Sequence, residues 1–203
     1  PAAGSRTIVN TNTLAISDGS GIATNYTLTN GTLTMTIVPR STTVSGTKTY
    51  DGTTNVASSN LTSFSNLAGS DTLSLSGTGT ISSADVGTGK TVNTSGLTID
   101  NSSGVGSNYT LSAATVNVTE RVIGLSGVRA FDGTNNASSA DLSISNLVSG
   151  ENLTLSGSGT VPNATVEMNK AISLGSLSIS DGSGGKSSNY TLTGGSHTLD
   201  ISQ

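Results

Sequence analysis

Apolar residues alternate with hydroxyl and amide residues along most of this chain. Leu73 and Leu75 are separated by Ser74 and flanked by Thr72 and Ser76. Val116 and Val118 lie among Thr115, Asn117 and Thr119, and threonines space Leu33, Met35 and Ile37. A period of two sends successive side chains to opposite faces of a strand, so these segments predict half-buried β-strands. Long helical patterns are missing, and β-branched threonines with scattered glycines disfavour them. Turn-forming clusters at 18–21, 101–104 and 181–184 interrupt the alternation. Short strands with turn signals every 8 to 12 residues or so describe a sandwich or small barrel. The expected fold is all-β, a tandem array of small Ig-like β-sandwich domains.

The pattern repeats. Asn-Tyr-Thr-Leu occurs at Asn25, Asn108 and Asn189, and Tyr50-Asp51-Gly52-Thr53 returns as Phe131-Asp132-Gly133-Thr134. Residues 71–80 match 151–160. Ile81, Ala84 and Val86 match Val161, Ala164 and Val166, and Lys90, Val92, Leu97 and Ile99 match Lys170, Ile172, Leu177 and Ile179. Val9, Leu14 and Ile16 stand in the corresponding places of a partial first copy. The period exceeds the 20 to 50 residues or so of a solenoid coil and implies an array of domains. The expected boundaries are 1–38, the C-terminal part of a preceding repeat, then two complete domains at 39–120 and 121–203. The junctions at Pro39-Arg40 and Glu120-Arg121 are too short for a flexible tether. Residues 1–38 alone cannot bury both sheet faces. For their strands around Val9–Ile16, Tyr26–Leu28 and Leu33–Ile37, either the missing part stands upstream in a longer chain, or the structural unit is permuted relative to these boundaries, or a strand from another copy completes them.

Composition narrows the class. Hydrophobic residues make up 32% and charged ones 10%, with a net charge of −4. Disordered chains combine low hydrophobicity with high charge, whereas Thr, Gly and Asn here favour strands and turns. Thin β-domains with small cores follow. There is no cysteine, which fits a chain outside a bacterial cell. No apolar run approaches the ~20 residues of a membrane-spanning helix, and no secretory leader is recognisable. Scattered Lys and Arg form no basic patch for nucleic acid.

The candidate chemistry is sparse. Tyr109 and Tyr190 read as core anchors, against the alternative of exposed aromatics for stacking sugars. The exchange of Tyr50 for Phe131 suggests that packing, not a hydroxyl, matters there. Asp51-Gly52 and Asp132-Gly133 read as turns in which Asp caps backbone N–H groups and Gly takes positive φ. Bound calcium is a weaker reading, because the alternate-Asp pattern of an EF-hand is missing. Gly87-Thr-Gly-Lys-Thr91 resembles the end of a phosphate-binding loop, but Ala84 stands where the motif needs Gly. His197 is the single histidine and reads as a surface residue; zinc ligands are too few. No catalytic, cofactor-binding or metal-binding residue is assigned, and no cofactor is expected. Recurrent Lys90/Lys170 and Asn108/Asn189 raise an intramolecular isopeptide bond, against which Thr7 stands at the lysine position of the first copy. Asn-X-Ser/Thr sequons recur at Asn25, Asn30, Asn60, Asn93, Asn101, Asn108, Asn117, Asn136, Asn152, Asn163 and Asn189, so glycosylation depends on the host.

The order Tyr-Asp-Gly-Thr-Thr, Leu-Ser-Gly-Thr-Gly-Thr, Asp-Val-Gly-Thr-Gly-Lys-Thr-Val, Gly-Leu-Thr-Ile and Asn-Tyr-Thr-Leu from Tyr50 to Leu111 resembles the YDG-type repeat of bacterial surface proteins. From Phe131 to Leu192 the resemblance is weaker. Such repeats occur in secreted adhesins resembling filamentous haemagglutinin, including two-partner-secretion exoproteins. The resemblance implies a non-enzymatic stalk or spacer of a secreted or cell-surface adhesin or matrix fibre, with neighbouring repeats as its partners. Two alternatives are a self-assembling subunit completed by a neighbouring copy, and a module binding glycans or a host protein through a patch such as Phe64 or Met168. Neither nucleic acid nor membrane insertion is expected.

Overall fold

The computed structural model describes residues 2–7, 14–27 and 33–203. Its strands are β1 (Gly4–Thr7), β2 (Thr34–Ile37), β3 (Arg40–Thr49), β4 (Asn55–Ala57), β5 (Leu61–Ser65), β6 (Leu73–Thr80), β7 (Gly87–Thr91), β8 (Leu97–Asn101) and β9 (Tyr109–Thr119). They continue as β10 (Arg121–Val122), β11 (Gly124–Ala130), β12 (Asn136–Ser138), β13 (Leu142–Ser145), β14 (Leu153–Ser156), β15 (Ser158–Thr160), β16 (Glu167–Ala171), β17 (Ser178–Asp181), β18 (Tyr190–Thr191) and β19 (His197–Ser202). The helical turns are single 3-10 turns, so the fold is all-β.

The two complete repeats have the same strand order. The first has a four-stranded sheet, β5-β3-β9-β7, and a three-stranded sheet, β4-β6-β8. The second has β13-β11-β19-β16 opposite β12-β15 and β14-β17. There β14 and β15 share the role of β6, interrupted at Gly157, whose φ is 84°. Alternation explains which faces meet. Val44, Ala114, Val116 and Val118 from the first sheet pack with Val56 from the second, and Leu75 and Leu97 line the margin. Val86, Leu97 and Ile99 are half-buried, as are Leu153 and Leu155, while Leu177 and Val161 are buried. The matched apolar ladder therefore faces inward in both repeats.

One feature of the topology controls the rest. The first strand of each repeat runs parallel to the last. β3 pairs with β9 from Arg40↔Tyr109 to Thr49↔Thr119, with one register shift after Thr42. In the second repeat, β10 pairs with β18 and β11 with β19. The chain therefore comes into each repeat at one end of this ladder and leaves at the other. Two backbone devices fit the strands together. Gly46 in β3 passes so close to the 3-10 turn that a Cβ would lie 1.7 Å from the Asn60 carbonyl oxygen. Gly127 in β11 meets Asp141 in the same way, at 1.9 Å.

Within residues 1–38 the described strands are β1 and β2, which pair antiparallel. Leu14, Ile16 and Tyr26 lie outside strands and are exposed; Val9, Leu28 and the sequon Asn30 fall outside the described residues. Where described, the expected strands over 9–16 and 26–28 are irregular chain, and a 3-10 turn at Ala23–Asn25 precedes the second. Among the described residues no second sheet covers Leu14, Ile16 and Tyr26. The register also corrects the lysine comparison. Arg6 faces Met35 as Lys90 faces Val116, because β7 carries a bulge that β1 lacks. Arg6, rather than Thr7, takes the place of Lys90.

Candidate functional site

The most developed polar cluster of the chain lies where the first repeat meets the second. β9 ends at Thr119 and β10 begins at Arg121, so a single residue, Glu120, separates them. Tyr50 closes the outgoing end of the first repeat. Its backbone N–H donates to the Thr119 carbonyl at 2.8 Å. The following Asp-Gly turn is built around a buried cation: Lys48 Nζ donates to the carbonyls of Thr53 and Asn55 at 3.0 and 2.6 Å and pairs with Asp51 at 2.8 Å. Asp51 also accepts from the Thr53 N–H at 2.9 Å, and Gly52 has φ 75°. Arg129, Asp132 and Thr134 repeat the device in the second repeat, where Gly133 has φ 79°. The Asp-Gly dipeptides are therefore turns of the expected kind, and each is held by a cation on the preceding strand.

The incoming end of the second repeat meets this surface. The Tyr50 and Tyr190 rings stand edge to face, with centroids 5.4 Å apart and planes at 79°. Both hydroxyls donate to one carboxylate: Tyr50 to Glu151 Oε1 at 2.6 Å and Tyr190 to Glu151 Oε2 at 2.8 Å. The Val148 N–H donates to the Tyr190 hydroxyl at 3.1 Å. Beside this, the side chain of Asn189, 1% exposed, accepts from the Val86 N–H at 2.9 Å and donates to Asp85 at 3.0 Å. Lys186 pairs with the other Asp85 oxygen at 2.7 Å. A Cβ at Gly52 would stand 2.7 Å from a Val148 methyl, so glycine is what lets the two repeats approach here.

The electrostatics follow from these contacts. Burial and the Glu151 carboxylate push the Tyr50 hydroxyl well above the usual phenol value. Burial also raises Tyr190. Asn189 and Lys186 hold Asp85 down to about 2. At neutral pH the joint therefore carries neutral phenols and an ionised Asp85, the states that their hydrogen bonds require.

The same joint recurs one repeat upstream. The Ala3 N–H donates to Asn108 at 2.8 Å, as Val86 does to Asn189. Tyr109 donates to Asp71 at 2.5 Å, and the Ala68 N–H donates to the Tyr109 hydroxyl at 3.0 Å. Arg40 reaches Asn66 and Arg121 reaches Asn146; both asparagines have positive φ.

Tyr109 and Tyr190 are buried, in line with a packing role, although each also serves a joint. The reading of Tyr50 and Phe131 as equivalent packing residues is corrected: the Tyr50 hydroxyl is used, and Phe131 is 54% exposed. The geometry also speaks against the isopeptide bond that Lys90/Lys170 and Asn108/Asn189 raised. Lys90 Nζ donates to the Ser83 carbonyl, and Lys170 Nζ contacts Asn163, Thr165 and Glu167. Asn108 lies eight residues before Val116, the partner of Lys90, which is about 26 Å along an extended strand. Gly87–Thr91 is itself a strand. His197 is half-buried rather than on the surface, with Nε2 2.8 Å from the Leu192 carbonyl oxygen. The Asn189 sequon is closed by its own burial. Phe64 packs against the core, whereas Met168 is exposed. No group of three metal-ligating side chains stands together among the described residues. Glu151 and Asp71, which organise the two joints, were aligned in the sequence but carry no motif.

A family profile for the YDG domain matches residues 32–117 and 119–198. No curated protein and no solved structure was found to match the chain. The two matched segments span most of the sequence, and the chain belongs to the YDG domain family, with two copies in tandem.

Proposed function

We propose that these two YDG domains are a rigid spacer segment of a secreted or cell-surface bacterial adhesin or matrix fibre. The observation that carries the reading is the joint. A one-residue connection, a shared carboxylate and a buried Tyr50 leave little freedom between repeats. The parallel pairing of first and last strands supports it. Tension applied at Arg40 and Thr119 pulls β3 and β9 in opposite directions along their shared ladder. All ten residue pairs then resist together, whereas a hairpin pulled at its open end separates one pair at a time. Ten strand residues also advance the chain by about 33 Å per repeat. The task is projection of a distal region away from the cell, and no chemistry is required of the repeats. The absence of cysteine fits that setting, and no helix among the described residues is long and apolar enough to cross a membrane.

Single-molecule stretching tests the proposal. Two unfolding events are expected, with the first repeat the more resistant. Its ladder of ten pairs is interrupted by one register shift, whereas the second repeat divides its ladder into two pairs and six. Extension at low force without distinct events would reject a load-bearing spacer.

A further inference from the structure

We propose that Tyr50 and Tyr190 form a site of oxidative cross-linking, at which one-electron oxidation driven by a peroxide joins the two rings as dityrosine and closes the joint covalently. Tyrosines couple when two phenoxyl radicals form side by side and each phenol proton has an acceptor. Both conditions are met in one place. The rings stand edge to face with centroids 5.4 Å apart. Both hydroxyls donate to Glu151, at 2.6 and 2.8 Å, so the phenolic ends of the two rings converge on one carboxylate. Glu151 is half-buried, so a proton that it takes can leave to water. At 5% and 3% exposure neither ring can meet a tyrosine of another chain, and the radicals couple within the joint. The electron, unlike the ring, passes through the few atoms that cover the pair.

Each phenol gives one electron to the oxidant and one proton to Glu151, which passes it to water. The two radicals form one C–C bond between ring carbons ortho to the hydroxyls. The hydrogens on those carbons move to the phenolic oxygens, which restores both aromatic rings. The two electrons break the O–O bond of one peroxide. The chain loses two hydrogens and nothing else. Tyr109 shows what one condition alone leaves. It donates to Asp71 at 2.5 Å, yet no second phenol shares that carboxylate among the described residues. The Tyr50–Tyr190 contact is the one ring pair among those residues, and Tyr26, 64% exposed, has no ring beside it.

The bond changes how the segment carries load, a consequence that rests on the spacer reading although the chemistry does not. Tyr50 directly follows β3, and Tyr190 opens β18. Force entering along β3 crosses to β18 through the new C–C bond. Residues 51–189, most of both repeats, then lie in a closed loop that the force bypasses.

Photolysis of the full chain with tris(bipyridine)ruthenium and persulfate, a peroxide, tests the site. Each tyrosine lies in its own tryptic peptide, 7–40, 49–90, 91–121 or 187–203. The monomer recovered by gel filtration should be lighter by two hydrogens, fluoresce as dityrosine and yield 49–90 joined to 187–203. Tyr50→Phe and Tyr190→Phe should each lose that product, and Tyr109→Phe should keep it. The two losses come from different repeats, so a folding defect in one variant does not decide the outcome. Absence of the product once the exposed Tyr26 has been oxidised would overturn the proposal. So would a product that survives removal of either phenol, or monomer in which dityrosine joins other peptides. Glu151→Gln should lower the yield, and an unchanged yield would overturn the carboxylate's part. Stretching the cross-linked chain should lose the unfolding events of the parent, and events of full length would overturn the load path. A cross-linked product from a chain whose unmodified form stretches without events would leave the site standing and remove the spacer reading.

Discussion

Tyr50 offers the sharpest test of the joint, because it belongs to one repeat and completes its contacts only in the next. Tyr50→Phe deletes the hydroxyl that reaches Glu151 at 2.6 Å and leaves the ring. A hydrogen bond to a charged acceptor contributes about 1.5–3 kcal/mol, which lowers the closed-to-open ratio of the joint about 10- to 150-fold. Tyr50→Ala also removes the edge-to-face contact with Tyr190, worth about 0.5–1.5 kcal/mol beyond burial. The total is then about 2–5 kcal/mol, enough to make the open joint a major state. The chain has no cysteine, so Thr62→Cys and Ser143→Cys, both exposed positions, carry two spin labels and no others. Pulsed dipolar spectroscopy should give one narrow distance in the parent. Tyr50→Phe should add a minor second population, and Tyr50→Ala a broad distribution. Phe131→Ala is the control and should leave the distance unchanged, because Phe131 is exposed and sits beside Ser202 at the end of the second repeat away from the Tyr50–Tyr190 contact. A Tyr50→Ala distribution as narrow as the parent's would refute the reasoning and shift the rigidity to Asn189 or to the one-residue connection.

Two further outcomes follow from the same geometry. Asp85 has a folded value of about 2 against an ordinary 3.8, so it favours the closed joint above pH 4 and loses that contribution as pH falls towards 2; the raised Tyr50 and Tyr190 act oppositely, favouring the fold below pH 10 and losing the effect in stronger alkali. Spin-label distances over pH 2–12 should therefore show one broad plateau, and opening that begins near pH 6 would contradict these assignments. Gly46→Ala should destabilise the first repeat by about 3 kcal/mol, the upper range for overpacking, because its Cβ meets a backbone oxygen at 1.7 Å. Gly133→Ala, in open space at φ 79°, should cost about 1–2 kcal/mol. Equal chemical-denaturation midpoints for these two variants would show that the close approach to Asn60 is not a constraint.

Much of the fold was legible because alternation is a local signal. Leu73 and Leu75, Val116 and Val118, and the Asp-Gly turns each report their own strand or loop. The matching of 71–80 with 151–160 then carried the strand order from one repeat to the other. The parallel pairing of β3 with β9 was not legible, since residues about seventy positions apart leave no mark on each other's periodicity. Residues 14–16 show the limit from the other side. Leu14 and Ile16 have a strand's spacing, but no second sheet among the described residues buries them, and both are exposed.

The joint was hidden for a different reason. Asking what the repeats share favours residues that build each domain, and by that standard the exchange of Tyr50 for Phe131 looks neutral. At the ends of the repeats the informative positions are those that differ. A residue on an outgoing face is constrained by the next repeat's incoming face, not by its own counterpart. Asp85 with Lys186 is one such pair. Tyr50 with Glu151 is another. Glu151 accepts two hydroxyls where two are offered, whereas Asp71 accepts the one that Tyr109 supplies. Comparing an outgoing end with the incoming end that follows it, rather than each repeat with itself, makes such pairs visible.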